Sequence, residues 1–210
     1  MSVEITKLAL SPKDQNTFYA EFDDGEKLTV AAAIVADYSL YKGRVLENGE
    51  YGALKKDVRL TSAKARALRI IGKRQMSRRE ITARLVQKGE SEQTAATVAD
   101  WLVQIGAIND GEYAAMIVRH YAASGYGAMR VRDELYRRGI ERERWDEVLV
   151  DLPDMEEAAF KAITSKLKGK KPDKAELGRV HAWLNRRGFK WDEIKAAAER
   201  YMNEGIDADE

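Results

Sequence analysis

The sequence contains no cysteine. That absence excludes disulfides, thiolate nucleophiles and zinc–thiolate centres, and it agrees with a cytoplasmic chain. No run of about 18 apolar residues occurs, so no membrane-spanning helix is expected. The opening Met-Ser-Val-Glu-Ile-Thr has no basic segment leading into an apolar one, so no signal peptide is expected either. Net charge is nearly absent at +1. The chain as a whole is therefore not a polycation held to nucleic acid by bulk charge. Histidine is scarce, with only His120 and His181, and neither has a second ligand at a metal-binding spacing. No catalytic set emerges, so the sequence predicts a protein that is not an enzyme and needs no cofactor or metal.

What is present is a repeat. Ser77 followed by Glu80 is a capping box. Ile81 and Leu85 then share a helical face, and Gly89 stands where a helix leaves through a left-handed residue. Val131, Leu135 and Gly139 keep the same spacing, as do Val180, Leu184 and Gly188. The agreement continues past each glycine, with Ala95, Trp145 and Ile194 six residues on and Val98, Val148 and Ala197 nine residues on. Leu102, Leu152 and Tyr201 follow at thirteen. A fixed period near fifty residues fits three-helix units, because helices average about 11–12 residues with short connections.

The front of the chain reads differently. Phe18–Phe22 and Lys27–Val30 flank an Asp23-Asp24-Gly25 turn signal, and Val3–Leu8 alternates as a third strand. Ala31–Leu40 suggests a short helix ending before Gly43, and Asn48–Thr61 a polar, helix-capable connector. The predicted fold is mainly α: three tandem three-helix repeats behind a small β-rich N-terminal module. The module with its connector covers 1–60, and the repeats cover 61–108, 109–152 and 153–210. A module of that size is expected to lean on the helices after it. Asp110 is the expected N-cap of the second repeat, Ser91 is a cap within the first, and 205–210 reads as an acidic tail.

Residues 62–108 hold nine basic side chains against four acidic ones; the second and third repeats show no such excess. Lys88, Arg138 and Arg187 precede the three glycines, where a cation complements the helix dipole. Arg78 and Arg79 crowd the opposite, positive end of their helix and point to a phosphate or carboxylate on a partner; Arg130 and Arg132 have the same standing. With Arg74 and the loop lysines Lys168, Lys170 and Lys171, they form the candidate set for binding a partner or DNA. Gly125-Tyr126-Gly127 lacks the Lys-Ser/Thr end of a phosphate-binding loop and reads as a helix break.

These residues resemble the RecX family of recombinase regulators. The first-repeat resemblance runs through Ala67-Leu68, Arg74, Ser77, Glu80, Leu85, Gly89, Leu102 and Ile108–Ala114 to Val118-Arg119. The second-repeat resemblance lies in Gly125-Tyr126-Gly127, Arg130-Val131-Arg132, Glu134-Leu135 and Arg138-Gly139-Ile140. The third repeat matches in skeleton only. The resemblance implies an elongated, curved array without enzymatic activity. It also implies binding to the RecA filament on single-stranded DNA, with modulation, usually inhibition, of strand exchange, ATP hydrolysis and the SOS response. Asn109 stands where the family commonly has an acid. The expected partner is the RecA filament, with single- or double-stranded DNA as a further one, and the expected state is a monomer away from membranes. The rival reading is a direct DNA-binding protein using each bundle as a helix-turn-helix-like unit.

Overall fold

The computed structural model describes residues 2–12 and 14–204. The acidic tail read at 205–210 lies outside them. The chain divides into two compact units, Met1–Arg74 with Ile81–Trp101, and Gln75–Glu80 with Leu102–Glu210.

The first unit opens with β1 (Val3–Leu10), β2 (Thr17–Phe22) and β3 (Lys27–Ala31). Helix α1 (Ala32–Asp37) and the short β4 (Val45–Leu46) follow. The sheet is antiparallel in the order β3-β2-β1-β4. Three of these strands were legible in the sequence, two by alternation and the third as the return after the turn; β4, only two residues long, was not. The turn forms as its residues require. Gly25 takes φ +85°, and Asp24 Oδ1 accepts from the Glu26 N–H at 2.9 Å. Ile5, Ala20, Phe22 and Val30 point to one face and are buried with Leu46 and Ile34.

That face is closed by α2 (Asn48–Ile71), whose Tyr51, Leu54 and Val58 join the same core. The sheet thus leans on a helix, as its size demands. The expected connector and the first helix of repeat one are in fact one helix of 24 residues, so residue 60 falls within it. Its glycines, Gly49 and Gly52, lie in the first turns, and no proline interrupts it. Burial of Leu54 and Val58 holds the polar stretch in helical form. Helices α3 (Arg78–Gln87) and α4 (Glu92–Gln104) complete the repeat, burying Ile81, Leu85, Ala95, Val98 and Leu102. Ser91 Oγ accepts from the Thr94 N–H at 3.1 Å, the expected cap.

The second unit holds repeat two, α5 (Asp110–Ala123), α6 (Ala128–Arg137) and α7 (Trp145–Leu149), the last entered through a 3-10 turn at Arg142–Arg144. Repeat three is α8 (Met155–Leu167), α9 (Lys174–Arg186) and α10 (Trp191–Glu204). Each repeat has its own core. Val131 and Leu135 meet Tyr113, Ile117 and Val148; Val180 and Leu184 meet Ile163, Ile194 and Tyr201. The N-cap of α5 is Asn109, one residue before the expected Asp110. Its side chain accepts from the N–H groups of Gly111 and Glu112. Asp110 is thereby released for another contact.

Candidate partner-binding surface

The capping box forms as its spacing requires. The Glu80 N–H donates to Ser77 Oγ at 3.0 Å, and the Ser77 N–H donates to Glu80 Oε2 at 3.2 Å. The serine hydroxyl then donates to the carbonyl of Arg138 at 2.5 Å, 61 residues away. Arg138 returns the contact. Its Nη1 donates to Glu80 Oε1 at 3.1 Å and its Nε to Glu134 Oε1 at 2.7 Å. The stem of Arg79 lies over Gly139, and Asp110 Oδ1 accepts from the Arg78 N–H at 2.9 Å. An acid therefore does stand at the positive end of α3, supplied by α5. Burial raises the pKa of Asp110 despite the Arg78 hydrogen bond and the nearby Arg144.

The same joint recurs between repeats two and three. The Gly127 N–H donates to the Arg187 carbonyl at 2.9 Å, and the Met129 N–H to the Gly188 carbonyl at 3.1 Å. Arg187 Nε donates to the Gly125 carbonyl at 2.9 Å and Nη2 to the Ser124 carbonyl. Its guanidinium stacks on Tyr126 at 4.6 Å and Trp183 at 4.8 Å. The helix dipole alone was expected to account for Arg138 and Arg187. They instead fasten each repeat to the segment preceding it, and only Lys88 among the three equivalents has an exposed side chain. The Gly125–Gly127 stretch is a helix break, as expected, and also the seat of that clamp.

The candidate cations are spread out. Arg78 and Arg79 lie at the Gly139 end of α6, while Arg130 lies at its start, about 13 Å away along the axis at 1.5 Å per residue. Arg130 is half-buried with its backbone against Gly188, while Arg78, Arg79 and Arg132 are exposed. Arg132 shares the outer face of α6 with Met129 and Tyr136, whose exposures of 52% and 62% make an apolar rim around a cation. Lys168 takes the left-handed conformation that ends α8 (φ 52°), and the Lys170 carbonyl accepts from the Tyr201 hydroxyl. Lys168, Lys170 and Lys171 are exposed, as is Arg74 in the first unit. His120 and His181 pack edge-on against Tyr121 and Trp191. Among the described residues no group of three His, Cys, Asp or Glu is placed to hold a metal, and no helix is long and apolar enough to cross a membrane.

Residues 63–102 match the family model of the first three-helix domain of RecX, and residues 109–149 match its second three-helix domain. The regulatory protein RecX of Halorhodospira halophila is 32% identical over 134 residues, which is 63% of this chain and 83% of that protein. The chain belongs to the RecX family. Its RecX relative in Streptococcus equi is 24% identical over 192 residues, 90% of this chain and 74% of the relative. A crystal structure of regulatory protein RecX has a TM-score of 0.72 over 94% of this chain and 99% of that one, at 20% identity. RecX from Lactobacillus salivarius has a TM-score of 0.58 over 69% and 96%, at 17% identity. Likeness at such identity speaks for the RecX fold alone. The relatives are named regulatory proteins, not enzymes.

The joint between repeats one and two carries one titratable group with a clear consequence. Glu134 is only 2% exposed. Burial acts to raise its pKa, but Arg138, the Tyr121 hydroxyl and Arg137 prevail and hold it below the usual 4.5. A lowered carboxyl pKa contributes stability that is complete above the unfolded value and lost as pH falls through the folded one. Glu134→Gln is therefore expected to lower the urea midpoint at pH 7 and to differ less from wild type at pH 3.5. An equal gap at both values would contradict this assignment.

Proposed function

We propose that this chain binds the RecA filament on single-stranded DNA and restrains its strand exchange, ATP hydrolysis and co-protease activity in the cytoplasm. The observation carrying the reading is membership of the RecX family, whose relatives are named regulatory proteins. Tandem bundles support it physically. Each of three tandem repeats can contact a different protomer of a helical filament. Tethering then makes the second and third contacts intramolecular, so weak individual contacts suffice.

The contacts on this reading come from Arg74, Arg78, Arg79, Arg130, Arg132, Lys168, Lys170 and Lys171. Arg132 is the cleanest to test. It is exposed, it stands beside Met129 and Tyr136, and arginine rimmed by aromatic and methionine side chains is typical of energetic centres in interfaces. Titrating the chain into RecA hydrolysing ATP on single-stranded DNA should suppress hydrolysis. Arg132→Glu should raise the half-inhibitory concentration about tenfold or more, equivalent to about 1.4 kcal/mol or more, with thermal unfolding unchanged. Unaltered potency would remove Arg132 from the surface. No suppression by the wild-type chain would remove the proposed function.

A further inference from the structure

The continuity of α2 aligns charges that the sequence divides between a connector and a repeat. Lys55, Arg59, Ser62, Arg66, Arg69 and Lys73 follow one another at steps of four, three, four, three and four residues. Those steps keep all six on one side of a helix. All but Lys73 lie within α2, which ends at Ile71 just before it. The four cations within α2 therefore mark a line about 21 Å long at the helical rise of 1.5 Å per residue, and Lys73 follows just past the helix end. Burial leaves most of this side open. Leu54 and Val58 face the sheet and Ala63 and Ala67 are buried from another side of the helix, while Arg59, Ser62, Arg69 and Lys73 are exposed; Lys55, at the near end, lies over the ring of the buried Tyr51 one turn before it.

A cleft of about 410 Å³ opens over the first half of the stripe. Lys55, Arg59, Ser62 and Arg66 lie along it; Glu26, Leu28 and Thr29 of the hairpin line one wall, and Lys88, Gly89 and Glu90 another. Lys55 pairs with Glu26 at 3.1 Å, and Arg66 with Glu90. Arg59, Lys73 and Lys88 have no ion pair among the described residues. The stripe thus keeps surplus positive charge even after its internal pairing.

We infer that the stripe of α2, with the cleft beside it, is a docking site for the phosphodiester backbone of duplex DNA. The chemistry argues for this occupant. A backbone presents charge at a regular interval, as the stripe does, and arginine forks suit phosphate oxygens. A folded protein partner would want apolar or aromatic anchors, and the six stripe positions hold none. Single strands are usually held by stacking bases on aromatic rings, which the stripe also lacks. The contact reads no sequence, and it gives the N-terminal module a task, because the hairpin forms one wall of the cleft. It does not depend on the proposed action on RecA.

The test uses the full chain and a fluorescein-labelled 30-base-pair duplex, followed by anisotropy across a salt series without recombinase. The wild type should bind the duplex more tightly than a 30-nucleotide single strand. Arg59→Glu/Arg69→Glu/Lys73→Glu should weaken duplex binding at least tenfold in low salt. The dependence of log K on log salt should become shallower by about 2–3, because three phosphate contacts are lost. The neutral set Arg59→Gln/Arg69→Gln/Lys73→Gln should show the same direction, and it serves if the reversal variant fails to fold. Unchanged affinity and slope in the neutral set would overturn the inference. So would tighter binding of the single strand, or an equal loss on reversing Lys161, Lys174 and Lys195 in the third repeat.

Discussion

Gly127→Ala is expected to cost about 3 kcal/mol and to loosen repeat three from repeat two. Its backbone is ordinary, at φ −78°, so the cost does not come from torsional strain. It comes from space. A Cβ at 127 would overlap the carbonyl carbon and oxygen of Gly188 and the nitrogen of Phe189. These are backbone atoms, and they cannot swing aside as a side chain would. Overpacking of this kind costs about 1–3 kcal/mol. Separation would also weaken the Gly127–Arg187 and Met129–Gly188 hydrogen bonds, at about 0.5–1.5 kcal/mol each. Gly188→Ala should behave similarly. Its φ is +86°, and a Cβ there would meet the backbone nitrogen of Arg130. Because the two sites share one contact, their costs should not add. Gly178→Ala is the control: it lies inside α9 with open space around its Cβ position, so it should gain up to about 1 kcal/mol from helix propensity. Urea unfolding of the three variants measures this directly. Equal effects at 127 and 178 would contradict the close approach.

Arg138→Ala is expected to cost about 3 kcal/mol at the other joint. Glu134 is buried, and losing its Nε donor leaves the carboxylate to Arg137 and Tyr121. Glu80 loses its ion pair with Arg138 as well. Breaking one side of a buried pair costs about 3–5 kcal/mol, and the partial exposure of Arg138 places the value at the low end. Lysine at 138 keeps the charge but lacks the fork that reaches two carboxylates, so it should recover only part. A double-mutant cycle with Glu80→Gln should show coupling of at least about 0.5 kcal/mol. Lys88→Ala, the equivalent change in repeat one, should stay within about 0.5 kcal/mol, because its side chain is exposed. Similar losses at 88 and 138 would mean that the dipole, not the joint, is what these cations serve.

Much of the fold was legible because it is local. Ser77 and Glu80 are three residues apart, and Gly89, Gly139 and Gly188 adopt the positive φ that their position after a helix demands. The strands around Gly25 follow from alternation and a turn. What was not legible depends on residues far apart. Ser77 meets Arg138 across 61 residues and Arg187 meets Gly125 across 62, separations that helical spacing rules do not reach. A signal existed, since each exceeds the repeat period by about one helix length, which is the offset between neighbouring units. The continuity of α2 was hidden by its polar first half, whose few apolar residues are buried against a sheet built mostly from β1–β3, well before it in the chain. Asn109 outcompeted Asp110 as the cap because the aspartate is drawn to the start of α3.

The most direct measurement is co-sedimentation of the purified chain with RecA filaments assembled on single-stranded DNA. The chain should pellet with the filament in saturable amounts, Arg132→Glu should shift it toward the supernatant, and DNA without RecA should not carry down an equal share. A folded chain left in the supernatant at every filament concentration would contradict the proposed function.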